Sequence, residues 1–414
     1  MLNGLPLPYS RHAIDEDDIA AVTAVLRGDW LTTGPSVRSF EEALAAQCEA
    51  PHAISCSNGT AALHLANLAL GIGPDHSVIV PTMTFAATAN AARHAGAEVV
   101  FADCDPTNGL MGLSQFEEAL ARARKNGRQA AAVFPVDLAG QCVDIEAIAA
   151  RAHAEGMTVV EDSCHALGTR YRREDGSWHP VGACIDSDIT VFSFHPVKTI
   201  AAGEGGAALT RNPDIARRLA QFRNHGVNRD ADQFKDKEAG FDHAEVNPWY
   251  YEMTDLGLNY RLSDINAALA HSQLKKLGHF VDTRRRLAAR YDYLLGALSP
   301  MVQPIARRQN CVASWHLYSV RIDFAASPLS RGQLMRALEA QGIRSQVHYI
   351  PVHRHPYYRD RYGETALPGA ETYYRNTLSL PLFVGMDEQD VDRVVETLGD
   401  LLGMGAGAMR RVAP

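Results

Sequence analysis

The sequence predicts an α/β protein in which a large domain has helices wound around a mainly parallel sheet and a smaller α+β domain follows. Helix-like and strand-like segments alternate from about residue 15 to 225, which is typical of a wound parallel sheet. The alternation stops at 226–258, and the remainder mixes long helical patterns with isolated strand signals. Because 414 residues suffice for two domains, we expect a large ligand-binding domain at 1–270 and a small C-terminal domain at 271–414.

Helical patterns open the chain. "DEDDIAAVTAVLRG" predicts a helix with an acidic first turn and Gly28 at its end, and "SVRSFEEALAAQCEA" predicts a second helix. Further along, "SQFEEALARARKNG" and "DIEAIAARAHAEG" are amphipathic. These helices lie between the strand signals, so we expect them to cover the two faces of the sheet.

Five short runs are apolar on both faces, as central parallel strands are. They are "SVIVPT" (77–82), "AEVVFADCD" (97–105), "QAAAVFPVD" (129–137), "MTVVEDS" (157–163) and "DITVFSF" (188–194). Ligands of such folds bind at the carboxyl ends of the strands. Polar side chains cluster at those ends, among them Thr82, Asp103, Asp137, Asp162 and Ser193.

The second half begins with 226–258, which has no clear period and is expected to be a long functional loop. The stretch 261–298 then predicts a long helix with Ser263 as N-cap and a bend or break near Gly278. "SWHLYSVRIDF" and "IRSQVHYI" predict strands, and "RGQLMRALEAQG" and "DEQDVDRVVETLGDLLG" predict helices. Together they predict the α+β domain.

Composition excludes several classes of protein. The net charge of −8 does not suit a nucleic-acid binder. The sequence contains no run of about 18 apolar residues, so it predicts no membrane span. The N-terminal stretch is a poor secretory signal. The seven cysteines are scattered and without a CxxC pair. We therefore expect a cytoplasmic protein with reduced thiols, no zinc site, no nucleic acid and no membrane partner.

Three motifs carry chemistry. "SCSNGTAALHLANLALG" (55–71) is a turn into a helix, where Gly59 and Thr60 could cradle a phosphate, although for this motif alone a plain N-cap is the commoner explanation. "TVVEDSCHALG" sets Asp162 at a strand end, either to cap a loop or to hold a protonated ring nitrogen, with His165 nearby. "SFHPVKTIAAGEGG" has one lysine, Lys198, among apolar, small and histidine residues. A desolvated lysine is nucleophilic.

The three motifs together match the three handles of pyridoxal 5'-phosphate. A phosphate cup, an acid for the ring nitrogen and an amine for the aldehyde follow one another along the chain. Each motif alone is weak, whereas the set predicts a pyridoxal phosphate enzyme.

The sequence resembles the DegT/StrS-type nucleotide-sugar aminotransferases over about residues 7–400. The resemblance rests on "LTTGP", "SNGTAALHLA", "PTMTFAATANA", "VVEDSCHALG", "SFHPVKTIAAGEGGA", "RNHG", "LGLNYRLSDINAAL" and "HYIPVH". It implies pyridoxal phosphate fold type I with a seven-stranded sheet. It implies these roles: Lys198 for the Schiff base, Asp162 for the ring nitrogen, Phe85 for stacking, Gly59, Thr60 and Ser193 for the phosphate, and His165, where many relatives carry glutamine, for the ring oxygen.

The resemblance also implies residues beyond the cofactor. Asn259 would reach the phosphate of a neighbouring subunit, which makes the unit a homodimer with shared active sites. Arg261 would lie near the nucleotide sugar, unless it pairs with Asp264. His195 could relay protons or be a packed histidine. His316, His348, Tyr349 and His353 are the further substrate-binding candidates, and a metal cluster in "HYIPVHRHPYY" is rejected because acidic and cysteine partners are missing.

The implied reaction moves an amino group from L-glutamate to C4 of a nucleotide-linked 4-keto-6-deoxy sugar. The pattern is most similar to pseudaminic acid pathway enzymes, which implies a UDP-linked 4-keto-6-deoxy-2-acetamido hexose. GDP-perosamine and UDP-4-amino-arabinose types remain alternatives. Some relatives replace the lysine with histidine and are dehydratases, whereas Lys198 is present here. A non-catalytic regulatory protein of this fold would not need Lys198, Asp162 and Ser193 together.

Overall fold

A computed structural model describes residues 6–125, 127 and 129–404. Its strands are β1 His52–Cys56, β2 His76–Pro81, β3 Glu98–Ala102, β4 Gln129–Val133, β5 Thr158–Asp162, β6 Arg170–Arg172, β7 Trp178–Pro180, β8 Ile189–Ser193, β9 Gly206–Thr210, β10 Val227–Asn228, β11 Phe241–Asp242, β12 Glu245–Val246, β13 Glu252–Met253, β14 Val302–Pro304, β15 Cys311–Val312, β16 Tyr318–Ile322 and β17 Thr377–Leu380.

The helices separate and cover these strands. They are α1 Glu16–Arg27, α2 Pro35–Gln47, α3 Gly59–Ala69, α4 Ala86–His94, α5 Leu113–Lys125, α6 Ile145–Ala154, α7 Pro213–Arg223, α8 Lys237–Gly240, α9 Asp264–Lys275, α10 Leu277–Leu295, α11 Arg331–Ala340, α12 Pro356–Tyr362, α13 Pro368–Asn376 and α14 Glu388–Leu401. Within the described residues, no helix is both long and apolar enough to cross a membrane.

The largest sheet formed by the described residues has seven strands in the order β1-β9-β8-β5-β4-β2-β3. The neighbours β8-β5, β5-β4, β4-β2 and β2-β3 are parallel, and β9 runs antiparallel to both β8 and β1. This confirms the predicted mainly parallel wound sheet. Its parallel strands end on one side, so Pro81, Asp162 and Ser193 close their strands on the same edge.

A second core lies in the C-terminal part, around the sheet β14-β16-β17. Buried residues of α10, α11 and α14, including Leu287, Leu334 and Val394, form it together with the N-terminal Leu7. In contrast, Leu277 and Phe280 at the start of α10 join the core of the large sheet. The helix α10 therefore spans both cores, and the boundary at 270 stays a prediction.

Two local expectations changed. The predicted helix over 261–298 begins after the N-cap Ser263 but divides into α9 and α10 at Lys276, two residues before Gly278. The strand predicted for "IRSQVHYI" (343–350) was wrong, because that segment makes only isolated bridges from Ile343 to Leu7 and from Gln346 to Ser379. Ile343 of this segment is buried in the second core, whereas His348 and Tyr349 line a cavity.

Helix α2 has a cap from outside its own sequence. Its N-cap Gly34 has no side chain to accept a hydrogen bond. The carboxylate of Asp264, at the start of α9, accepts from the backbone N–H groups of Gly34 (2.7 Å) and Ser36 (2.9 Å). Asp264 is fully buried, so these bonds join two helices that lie next to each other.

Asp264→Ala should lower the free energy of unfolding by about 2–3 kcal/mol, because it leaves two helix N–H donors without partners. The measurement is urea unfolding of the cofactor-free protein. Asp282→Ala is the matched control, since the Asp282 side chain is 79% exposed. Equal stabilities of the two variants would contradict the capping role.

Candidate active site

A cavity of about 590 Å³ opens at the carboxyl edge of the large sheet. Most of the residues predicted for the site line it, from both the large-domain loops and the C-terminal part of the chain. They are Gly59, Thr60, Phe85, Asp162, His165, Ser193, His195, Lys198, His316, His348 and Tyr349. The roles assigned to them from the resemblance stay predictions.

The N-terminus of α3 forms one end of the cavity. Asn58 caps the helix, with its side-chain oxygen accepting from the N–H of Ala61 at 2.8 Å, so the plain capping interpretation also holds. Gly59 and Thr60 follow in the first turn, where backbone N–H groups lack helical acceptors. A Cβ on Gly59 would lie 2.8 Å from Cβ of Ser193. The close approach of α3 to the end of β8 therefore requires glycine, and the unpaired N–H groups of the first turn suit a small anion.

Lys198 is half-buried and faces the cavity. Its loop is held by hydrogen bonds from the N–H of Lys198 to O of His195 and from the N–H of Ala202 to O of Phe194, both 2.8 Å. Desolvation lowers the pKa of Lys198, although the nearby Cys164 and Asp162 oppose part of that shift. A lowered pKa increases the share of neutral amine, the form that attacks an aldehyde.

Asp162 is oriented by a residue that sequence reasoning missed. Thr88 on α4 donates from Oγ1 to Oδ2 of Asp162 at 2.7 Å, and the N–H of Cys164 donates to Oδ1 at 3.2 Å. Asp162 is 6% exposed, so the two bonds fix the direction of its carboxylate. Thr88 lies in the quoted "PTMTFAATANA", one helical turn after Phe85, and that spacing was the available signal.

His165 has a defined tautomer. Its Nδ1 accepts from the backbone N–H of Ala139 at 3.3 Å, so the proton of the neutral ring is on Nε2. That Nε2 lies 3.1 Å from Oη of Tyr349 and donates to it. The hydroxyl hydrogen of Tyr349 is then free to donate to another group in the cavity.

Burial keeps three histidines of the cavity lining, His165, His316 and His348, neutral. Burial lowers the pKa of His165 and of His316 well below the usual value, and the two rings are 4.4 Å apart. Burial, aided by the charge of Lys198, lowers the pKa of His348 to about 3. Near neutral pH these rings therefore accept or donate hydrogen bonds without adding positive charge beside Lys198.

Aromatic side chains border the opening. Phe85 is 61% exposed, and its ring centre lies 5.9 Å from that of Tyr349. A core role for Phe85 is thereby excluded, and its ring face is available for stacking. Tyr9 and Tyr260 also line the cavity, and neither was predicted, because nothing in their local sequence distinguishes them from packed tyrosines.

Three predicted residues lie outside the cavity. His353 is buried between Thr82, whose Oγ1 is 2.7 Å from Nδ1, and Glu371, 3.4 Å from Nε2. Both ring nitrogens of His353 therefore have partners within the chain, and its substrate role stays a prediction without support from the cavity.

Arg261 donates from Nη1 to Oδ1 of Asn224 at 2.6 Å, so it neither lines the cavity nor pairs with Asp264, which caps α2. Asn259 is exposed and bridges to Asn224 through the backbone. Neither residue lines the cavity of its own chain, whereas Tyr260 between them does.

The site fits pyridoxal phosphate. The first turn of α3 brings the backbone at Gly59 and Thr60 to the cavity, Asp162 presents a fixed carboxylate, and Lys198 presents an amine of lowered pKa in the same cavity. Among the described residues, no cluster of three or more histidine, cysteine or acidic side chains could hold a metal ion. A wound α/β domain with this site defines the fold type I class of pyridoxal phosphate enzymes.

Comparisons with known proteins identify the family. The model of the DegT/DnrJ/EryC1/StrS aminotransferase family matches residues 12–399. The spore coat polysaccharide biosynthesis protein SpsC of Bacillus subtilis (strain 168) is 36% identical over 399 residues, which are 96% of this chain and 97% of SpsC. The chain therefore belongs to the DegT/DnrJ/EryC1/StrS aminotransferase family, whose members use pyridoxal phosphate.

Solved structures agree with this assignment. Helicobacter pylori PseC, an aminotransferase involved in the biosynthesis of pseudoaminic acid, superposes with a TM-score of 0.82 at 26% identity over 97% of this chain and 100% of PseC. Streptococcus pneumoniae Spr1654 in its PLP form has a TM-score of 0.83 at 27% identity over 99% of this chain and 100% of its own, and it was also solved in a PMP form.

Replacing Lys198 should stabilise the cofactor-free protein at neutral pH. The pKa of Lys198 is lowered from 10.5 on folding, so the unfolded chain binds more protons than the folded chain between the two pKa values. Wild-type stability therefore rises with pH through that window. Urea unfolding should show Lys198→Met more stable than wild type at about pH 7, with a difference that shrinks as the pH approaches 10.5.

Lys276→Met is the control of opposite sign. Desolvation acts on Lys276 as well, but its bonds to Asp15 and Asp18 prevail and raise its pKa. This variant should be less stable than wild type at neutral pH. A difference between Lys198→Met and wild type that does not depend on pH would refute the desolvation of Lys198.

Proposed function

We propose that the protein transfers the amino group of L-glutamate to C4 of a nucleotide-linked 4-keto-6-deoxy sugar. The observation that carries this proposal is the amine of Lys198 beside the fixed carboxylate of Asp162 in one wide cavity. The relatives support a sugar acceptor, because SpsC acts in spore coat polysaccharide biosynthesis and PseC in that of pseudoaminic acid. The proposed acceptor is a UDP-linked 4-keto-6-deoxy-2-acetamido hexose.

The residues of this chain have separate tasks in that reaction. When bound, pyridoxal phosphate supplies an aldehyde that takes up the amino group and a ring that accepts electrons. Asp162 keeps a proton on the ring nitrogen, and Thr88 holds the carboxylate in place for it. In the first half of the reaction Lys198 would remove a proton from Cα of glutamate and pass it to the cofactor. In the second half it would take a proton back from the cofactor and deliver it to C4 of the sugar.

The wall opposite the lysine orients the reacting groups. His165 donates from Nε2 to Tyr349, which can then donate its own hydroxyl hydrogen to a ring or substrate oxygen. Because His165, His316 and His348 are neutral, they do not raise the cost of a protonated Lys198. The lysine can therefore alternate between its two protonation states during the proton transfers.

The acceptor test uses purified enzyme, L-glutamate and a panel of UDP-, GDP- and dTDP-linked 4-keto sugars, with 2-oxoglutarate as readout. We expect the fastest turnover with the UDP-linked 2-acetamido hexose. Faster turnover with a GDP-linked acceptor or a UDP-linked 4-keto pentose would favour the perosamine or amino-arabinose type instead. If no sugar of the panel supports turnover of glutamate to 2-oxoglutarate, a sugar acceptor is refuted. Lys198→Ala is the inactive control.

We further propose a cytoplasmic homodimer with shared active sites. All seven cysteines are free thiols, as suits a reducing compartment. Asn259 is exposed and outside the cavity of its own chain, and the preceding loop leaves Leu256 85% and Met253 65% exposed. Such apolar exposure is typical of a covered surface. A second copy could cover it and bring Asn259 to the partner's phosphate cup.

Subunit complementation tests the shared site. Lys198→Ala and Asn259→Ala should each have little activity alone. After refolding of an equal mixture, half of the dimers are mixed, and each has one site without either substitution. Activity should then return to about one quarter of wild type. Absence of any recovery, with mixed dimers present by mass spectrometry, would contradict a site built from two chains.

A further inference from the structure

A second depression lies beside the catalytic cavity. We define this basic groove by Pro8, Ser10, Arg11, His12, Val197 and Arg344, and it has a volume of about 470 Å³. Two arginines border it, and no acidic residue does so in the part of the chain that the structure describes. The groove therefore has the charge that attracts an anionic group.

The groove and the catalytic cavity share a wall. Val197, the residue before Lys198, lines both. Along the N-terminal segment, Tyr9 lines the cavity while its neighbours Pro8 and Ser10 line the groove. Ser10 holds the two walls together by donating from Oγ to O of Val197 at 3.1 Å. A ligand that leaves the cavity past Val197 would thus enter the groove.

The backbone fixes the other side of the groove. The N–H of Leu7 donates to O of Gly342 at 2.7 Å, and the N–H of Arg344 donates to O of Leu7 at 2.9 Å. These bonds set Arg344 beside the segment that carries Arg11. The two cations therefore line the same groove although they are far apart in sequence.

The cations of the groove are largely uncommitted. Within the described residues, the side chains of Arg11 and His12 have no hydrogen bond or ion pair, and both residues are exposed. Arg344 has only Glu339, at 3.4 Å, and its side chain is 67% exposed. An exposed pair of this kind contributes little to stability, so both guanidinium groups are available to a ligand.

The catalytic cavity, in contrast, has no arginine and one lysine among its described lining residues, so it offers few cations to a diphosphate besides the cofactor phosphate. That lysine is Lys198, and Asp162 and Glu204 of the lining are acidic. Burial lowers the pKa of His165, His316 and His348, so these three histidines are neutral, and His195 is the other histidine of the lining. A diphosphate enclosed there would be without the guanidinium partners that such groups require. A nucleotide-linked sugar is elongated, so its diphosphate can reach the adjoining groove while its sugar is next to Lys198.

We infer that the basic groove binds the diphosphate of the nucleotide-linked substrate, with Arg11 and Arg344 as its main contacts. This inference rests on the proposed function. Sugar and diphosphate then occupy the two sides of Val197, the sugar in the cavity and the diphosphate in the groove. The guanidinium groups recognise the anion, and they leave the identity of the base to other contacts.

The experiment measures UDP binding to the cofactor-loaded enzyme by calorimetry. Arg11→Ala and Arg344→Ala should each weaken UDP, and the double variant should weaken it about tenfold or more, because two charge-assisted contacts are lost. Arg286→Ala is the matched control, since that guanidinium is 61% exposed with a glutamate 3.8 Å away, and its affinity for UDP should equal that of wild type. Inorganic pyrophosphate should compete with UDP.

Two outcomes would overturn the inference. One is unchanged UDP affinity in the double variant, and the other is failure of pyrophosphate to compete, which would assign the affinity to the base or ribose. Wild-type enzyme that does not bind UDP, GDP or dTDP yet converts glutamate to 2-oxoglutarate would also overturn it. Failure of the proposed function would differ, because no nucleotide-linked 4-keto sugar of the panel would then support turnover, whether or not UDP binds.

Discussion

The site depends on the parallel pairing of β5 with β8. Their register sets Asp162 opposite Val191, so Ser193 at the end of β8 lies two residues beyond the carboxylate on the same edge. The partner β9 then pairs Gly206 with Ser193, which brings the glycine-rich loop beneath Asn58 and Gly59. A slip of one residue would turn every side chain to the other face, and ring acid and phosphate cup would separate.

Electrostatics add a second constraint to this geometry. Lys198 must lose its proton to react, and desolvation assists that loss. Each further positive charge beside Lys198 would make it harder for the lysine to take up a proton again later in the cycle. Burial keeps His165 and His348 neutral, so they provide hydrogen bonds only. The wall is polar enough to orient oxygen atoms and close to uncharged, which is what a reversible proton carrier requires.

The strands that could be predicted from the sequence are those buried on both faces, such as β2 and β5, because continuous apolar runs identify them. The strands β1 and β9 were not singled out, since "HAISC" and "GAALT" are short and small. Within the site, Asp162 followed from its strand-end position, and Lys198 followed from the apolar, small and histidine residues around it. The contact of Thr88 with Asp162 and the position of His353 outside the cavity could not be predicted from the sequence. Only the packing of α4 and of the segment after Pro351 decides which partners those side chains meet.

One helix relates the two halves of the cavity. Arg284 on α10 is 1% exposed and donates from Nη1 to the backbone oxygens of His316 (3.3 Å) and Leu382 (3.0 Å). Burial lowers its pKa to about 10, which leaves it charged at neutral pH. Residues of α10 also pack in both cores. This one helix therefore connects the backbone of His316 to the core of the large sheet. Differences in substrate among relatives are then easier to accommodate in exposed side chains at the opening, such as those of the basic groove, than in the wall that contains His316.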